Sequence, residues 1–139
     1  MGEFGQGAIE YMKRKKAGTL ALVDNLSRQA EGDMKASAPW KDQTATARRA
    51  LHSGVEPAGK NRIRMYLAHG VQYGGILEEG SKPHIIRPKN KKALYWKGAS
   101  HPIKAVKHPG TKPRAVVEPT AKKYRIKIRE TLVKWWSRP

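Results

Sequence analysis

Residues 48–69 read RRALHSGVEPAGKNRIRMYLAH, and the fold class turns on them. Arg48 to Glu56 alternates in part between polar and apolar side chains, and Arg62 to His69 places Ile63, Tyr66 and Leu67 as its apolar set. Between them Pro57-Ala-Gly-Lys-Asn supplies turn chemistry, so an antiparallel hairpin is predicted. Working towards the N-terminus, Gly5 to Ala36 reads as one long amphipathic helix. Ile9, Met12, Leu20, Val23 and Leu26 lie near one stripe, with Lys13 to Lys16 and Arg28 offset from it. Gly18 and Gly32 are weak points, each costing about 1 kcal/mol against Ala, and Gly18 is a candidate kink. Pro39 biases Ala38 out of helical geometry and ends the helix, and Trp40 follows as an apolar anchor for the loop.

Towards the C-terminus, Tyr73-Gly-Gly-Ile-Leu-Glu-Glu-Gly reads as a short helix with Tyr73, Ile76 and Leu77 on one face and Gly80 as a left-handed cap. From Ser81 the character changes, because prolines at 83, 88, 102, 109 and 113 cut the chain into short pieces. Ile85-Ile86-Arg87 and Ala93-Leu94-Tyr95-Trp96 are strand candidates joined by Pro88-Lys-Asn-Lys-Lys, and Ile103 to Val106 is a third. The remainder of 81–113 reads as a long extended loop. Glu118 to Trp136 is a helix with Pro119 in its first turn and Ala121, Tyr124, Ile128, Leu132 and Trp135 at helical spacing. One α+β domain spanning residues 1–139 is expected: a long N-terminal helix, a small, mainly antiparallel sheet with a long basic loop, and a C-terminal helix.

The composition bounds what such a domain can do. There are 139 residues, 29 Lys plus Arg against 11 Asp plus Glu, no Cys, and a net charge of +18. Without cysteine there is no disulfide framework, thiolate nucleophile or Cys-based metal site. Met1 to Glu10 lacks the basic and apolar regions of a signal peptide, and no apolar run is long enough to span a bilayer, so no membrane partner is expected. The charge is unevenly placed. Up to Gly80 there are 12 basic and 9 acidic residues, whereas from Ser81 onward there are 17 basic residues and only Glu118 and Glu130 as acids. That points to a polyanion or an acidic protein surface as partner.

Catalytic constellations are poor. No two histidines among 52, 69, 84, 101 and 108 make the helical metal-binding pair with an intervening Glu, and Glu78 and Glu79 are adjacent, which disfavours a paired-carboxylate hydrolase. A metal-dependent hydrolase using His84, His101 and His108 is the least favoured reading. Gly5-Gln-Gly7 and Gly74-Gly75 lack phosphate-loop or dinucleotide spacing. Tyr95 and Trp96 amid Lys91, Lys92 and Lys97 look like a base-stacking platform with basic flanks, without any standard nucleic-acid module consensus.

The order of several short motifs carries more. Tyr73-Gly-Gly-Ile-Leu-Glu-Glu-Gly-Ser, Pro88-Lys-Asn-Lys-Lys-Ala-Leu-Tyr-Trp, Val106-Lys-His-Pro-Gly-Thr-Lys-Pro-Arg and a terminal helix follow one another, preceded by Ala38-Pro-Trp-Lys-Asp-Gln-Thr-Ala-Thr-Ala-Arg. From about Ala36 to Ala121 this resembles the tail-completion or head-tail joining (neck) proteins of tailed bacteriophages, often labelled putative tail components. Two positions depart from that pattern: Ala45 stands where the family often has Gly, and Arg114-Ala-Val-Val-Glu-Pro replaces its common Pro-Phe-Leu-Arg-Pro.

The resemblance implies a structural virion protein, made in the bacterial cytoplasm, that forms a ring, usually six-fold, between portal or adaptor and tail. It implies no catalysis and no cofactor. Its partners would be copies of itself, neighbouring neck and tail proteins and, in the lumen, packaged DNA. Candidate interface residues are Trp40, Lys89, Lys91, Lys92, Tyr95, Trp96, His108, Lys112 and Trp136, the tryptophans 40, 96 and 136 being expected at the surface. The competing expectation is a basic nucleic-acid-binding protein in which Lys89, Lys91, Lys92, Lys104, Lys107, Lys112 and Arg114 neutralise phosphates.

Overall fold

A computed structural model describes residues 2–139. The elements in chain order are α1 (Glu3–Ser37), α2 (Thr46–Arg49), β1 (His52–Gly59), β2 (Arg62–Ala68), α3 (Gly74–Glu79), β3 (His84–Ile86), β4 (Val106–His108) and α4 (Val117–Ser137). The class is α+β, as the sequence order of elements requires. No helix among the described residues is long and apolar enough to cross a membrane.

The two long helices run antiparallel, because contacts from α1 to α4 fall in α1 number as they rise in α4 number. Asp33 accepts bonds from Lys123 Nζ at 2.9 Å and Tyr124 OH at 2.7 Å, Gln29 Oε1 accepts from Lys127 Nζ at 3.1 Å, and Lys15 O accepts from Trp135 Nε1 at 3.1 Å. The β1–β2 hairpin lies along this pair, turning at Lys60-Asn61 with an irregularity in register between Pro57 and Gly59. Two small cores result. Leu26, Ala30 and Tyr124 form one, flanked by Met65, Leu67 and Ile128. Met34, Ala38, Trp40, Leu51 and Val116 form the other, and Leu67 touches both.

Four expectations change. The strand expected from Arg48 starts instead at His52, because Thr46–Arg49 closes one helical turn and the Arg48 side chain is used elsewhere. Its guanidinium donates to the carbonyls of Lys35, Ala38 and Trp40, the orphaned acceptors at the C-terminal end of α1 and just beyond it, and pairs with Asp42. Lys15 is not offset from the core: it is 5% exposed, and its ammonium donates to the carbonyls of Trp135 and Arg138 at the C-terminal end of α4. The indole of Trp135 lies 4.6 Å from that ammonium. The expected apolar stripe of α1 is buried only from Val23 onward, whereas Ile9, Met12 and Leu20 remain more than 40% exposed. Finally, α1 runs through Gly18 without a break.

Gly18 has a packing role instead. A Cβ there would stand 2.2 Å from the Trp135 ring, so the missing side chain is what lets the indole lie against α1. Ala45 presents the opposite situation, holding left-handed geometry (φ 58°) that an L side chain adopts at a cost of about 1 kcal/mol or more. Two exchanges should therefore have signs opposite to helix propensity alone. Gly18→Ala should destabilise by about 1–3 kcal/mol through overpacking, where an open helical site would gain about 1. Ala45→Gly should stabilise by about 1 kcal/mol. Urea unfolding of both variants checks this, and a stabilised Gly18→Ala protein would refute the close-packing account.

Candidate functional site

Between α3 and α4 the chain leaves the body as an arm of residues 81–113. It is a narrow antiparallel ladder: Ser81 bridges Thr111, His84–Ile86 pairs with Val106–His108, and Leu94 bridges Ile103. The return leg therefore pairs with the outgoing one; Ile85-Ile86 pairs with Val106-Lys107, whereas the strand candidate Ala93–Trp96 makes only the Leu94 bridge. The prolines account for the gaps, since each removes a ladder donor.

The base of the arm is tightly closed. Ser81 and Thr111 exchange backbone bonds of 3.0 and 3.1 Å, and their hydroxyls meet at 3.0 Å. Gly80 (φ 77°) and Gly110 (φ 84°) flank the bridge, and a Cβ on either would fall within 2.4 Å of the opposite strand's carbonyl oxygen. Gly80 does end α3 at positive φ, but with ψ −174° it is extended rather than left-handed helical. Only glycine occupies that region comfortably.

Immediately beneath the bridge lies Glu78. Helix α4 has no capping side chain of its own, since Val116 holds the cap position. The Glu78 carboxylate replaces it, accepting from the backbone N–H groups of Val116 (3.0 Å), Val117 (3.2 Å) and Glu118 (2.7 Å). It also bonds His69 Nε2 at 3.0 Å, at the end of β2, and the His69 ring packs 6.1 Å from that of Trp40. Burial pushes the Glu78 carboxyl up, but the three backbone donors and His69 outweigh it and hold the group below the usual carboxylate range. Leu77 O accepts from Arg114 N at 2.7 Å, so both legs of the arm are tied to α3.

The arm itself is solvated. None of its 33 residues is buried. It carries Lys82, Arg87, Lys89, Lys91, Lys92, Lys97, Lys104, Lys107 and Lys112, no acid occurs between Glu79 and Glu118, and none of these nine cations is in an ion pair among the described residues. Tyr95 (71% exposed) and Trp96 (47%) stand beside them in sequence.

The residues singled out from sequence thus separate. Lys89, Lys91, Lys92, Tyr95, Trp96, Lys104, Lys107 and Lys112 all lie exposed on the arm, and Arg114 lies exposed at its base. His108 is half-buried in the ladder, its ring 5.0 Å from that of His84, and its Nδ1 accepts from Gly110 N. Trp40 is not at the surface: it is 8% exposed and belongs to the second core, as its loop-anchoring role requires. Trp136 is exposed but sits about 28 Å of helix away from the arm, its Nε1 donating to Thr19 Oγ1. His84, His101 and His108 do not assemble with a third ligand, since no group of three or more potential metal ligands occurs among the described residues. Sequence reasoning missed Glu78, His69, Lys15 and Arg48. The available signal was the absence of Ser, Thr, Asp or Asn before Val117, which demands a cap from elsewhere.

No protein-family model, curated protein or solved structure matches this chain.

Replacing Glu78 by Gln should leave the shape but weaken three charge-assisted bonds, costing about 2 kcal/mol at neutral pH. Because the carboxyl is depressed in the fold, its stabilisation is present above the ordinary Glu value of about 4.3 and is lost as pH falls through the lower folded value. The gap between parent and Glu78→Gln should shrink in urea titrations as pH falls below the ordinary Glu value and through the lower folded one. A gap independent of pH would remove the charge from the explanation.

Proposed function

We propose that this chain is a non-enzymatic structural protein of the head-to-tail connector of a tailed phage, forming a ring with copies of itself and joining the portal or adaptor side to the tail. The observation that carries the reading is the arm: 33 residues, none of them buried, with nine unpaired cations, fastened at both legs to a rigid clamp. An arm of this kind buries too little by itself to repay its ordering, and gains its contacts from acidic surfaces of neighbouring subunits. A second feature agrees with the neck-protein resemblance. Ala45, the position where that family often has Gly, is the one described non-glycine residue at positive φ. A ring requires a heterologous interface that closes by rotation, and an arm reaching from one copy to the next provides it.

Deleting Lys89–Lys97 while keeping the Ser81–Thr111 bridge should leave thermal stability within about 1 kcal/mol, since nothing buried is removed. The same variant should fail to join heads to tails in a complementation assay. Infectious particles from the deletion variant would refute the assignment of the arm.

Tyr95 and Trp96 flanked by Lys91, Lys92 and Lys97 favour a second reading, binding of nucleic acid, including DNA passing through the lumen. It expects affinity for duplex DNA to fall with salt at a log-log slope of about −0.9 per phosphate neutralised. A flat salt response, or no binding near physiological salt, would exclude it.

A further inference from the structure

A second surface, separate from the arm, is formed where α1, the tip of the β1–β2 hairpin and the last turn of α4 meet. It is an open groove of about 620 Å3. Its apolar lining includes Met12, Leu20, Ile63 and Trp136, which are 43, 48, 40 and 41% exposed. Four such side chains in one groove exceed what scattered surface apolar residues require. On α1, Ile9, Met12, Lys16 and Leu20 follow i, i+3, i+7 and i+11, so they make one continuous face of that helix.

The groove is also preorganised. Trp136 Nε1 is tied to Thr19 Oγ1 at 3.0 Å, and Lys16 Nζ is tied to Asn61 Oδ1 at 2.9 Å, which holds the hairpin tip against α1. Its charge has one sign: Lys16, Lys60 and Arg62 line it, with no Asp or Glu among the lining residues. The arm of a second copy is a poor occupant, since it has no acid to meet the groove's cations. Met12 and Leu20 are eight residues apart, about 12 Å along α1, the distance between anchors two turns apart on a docked helix.

From this apolar floor and cationic rim we infer that the groove is a docking site for an acidic amphipathic helix of another protein. Apolar anchors on one face would cover Met12, Leu20, Ile63 and Trp136, while flanking carboxylates would meet Lys16, Lys60 and Arg62. This inference stands apart from the arm and from the connector reading.

The test uses the full chain and three labelled synthetic peptides of about five helical turns. One is amphipathic with Leu on one face and Glu on the other, one has Lys for Glu, and one has Gln for Leu. Fluorescence anisotropy at physiological salt should show binding of the Leu/Glu peptide only. Leu20→Glu or Ile63→Glu, both at half-exposed positions, should weaken it at least about tenfold. Lys91→Glu/Lys92→Glu/Lys97→Glu on the arm should change it by less than about threefold. Equal binding of the Gln-for-Leu peptide, or loss of binding only in the arm variant, would reduce the effect to arm electrostatics and overturn the inference. Self-association abolished by Leu20→Glu would give the groove to a second copy, which also overturns it.

Discussion

The two ends of helix α4 are capped by opposite charges that lie outside α4. Glu78 accepts the first backbone N–H groups of the helix, and the Lys15 ammonium donates to carbonyls at its last turn. A helix end carries unpaired polar groups and about half a unit charge, so a buried end needs a partner of opposite sign. Here the partners come from positions 38 or more residues away in sequence. Arg48 serves α1 in the same way from beyond its C-terminus. With so few fully buried apolar side chains, these charged caps fix which helix lies where and in which direction.

The position of the arm follows from the Glu78 contact. One carboxylate joins α3, the start of α4 and, through His69, the end of β2. The outgoing leg begins three residues after Glu78, and the returning leg ends a few residues before Val116. Gly80 and Gly110 then let the legs approach closely enough for the Ser81–Thr111 bridge. The arm is thus thin and solvated along its length but anchored at its base in a hydrogen-bonded cluster around Glu78.

Two groups of cations contrast. Lys15, Arg48 and Lys123 are consumed by the fold, capping helix ends or pairing with Asp33. The nine on the arm have no intramolecular counter-charge, and mutual repulsion along a two-stranded ladder keeps them outward. Under the proposed function, attraction to an anionic partner, an acidic subunit or a phosphate backbone, takes up that excess. The groove at the other end of α4 differs in kind, since there the cations only rim an apolar floor.

The amino-acid sequence by itself determined α1, α3, α4, the hairpin and the separation of a basic, proline-broken segment from the rest, because periodicity, turn residues and charge counts are local properties. It also placed the arm's lysines and aromatics at the surface, since a segment without acids or a sustained apolar stripe cannot enter a core. The burial of Lys15 and Trp40, the exposure of Met12 and Leu20, and the role of Glu78 were decided by tertiary structure alone. Each depends on where a distant helix end comes to rest. An amphipathic pattern shows that a face is apolar, but not which partner, if any, is long enough to cover it.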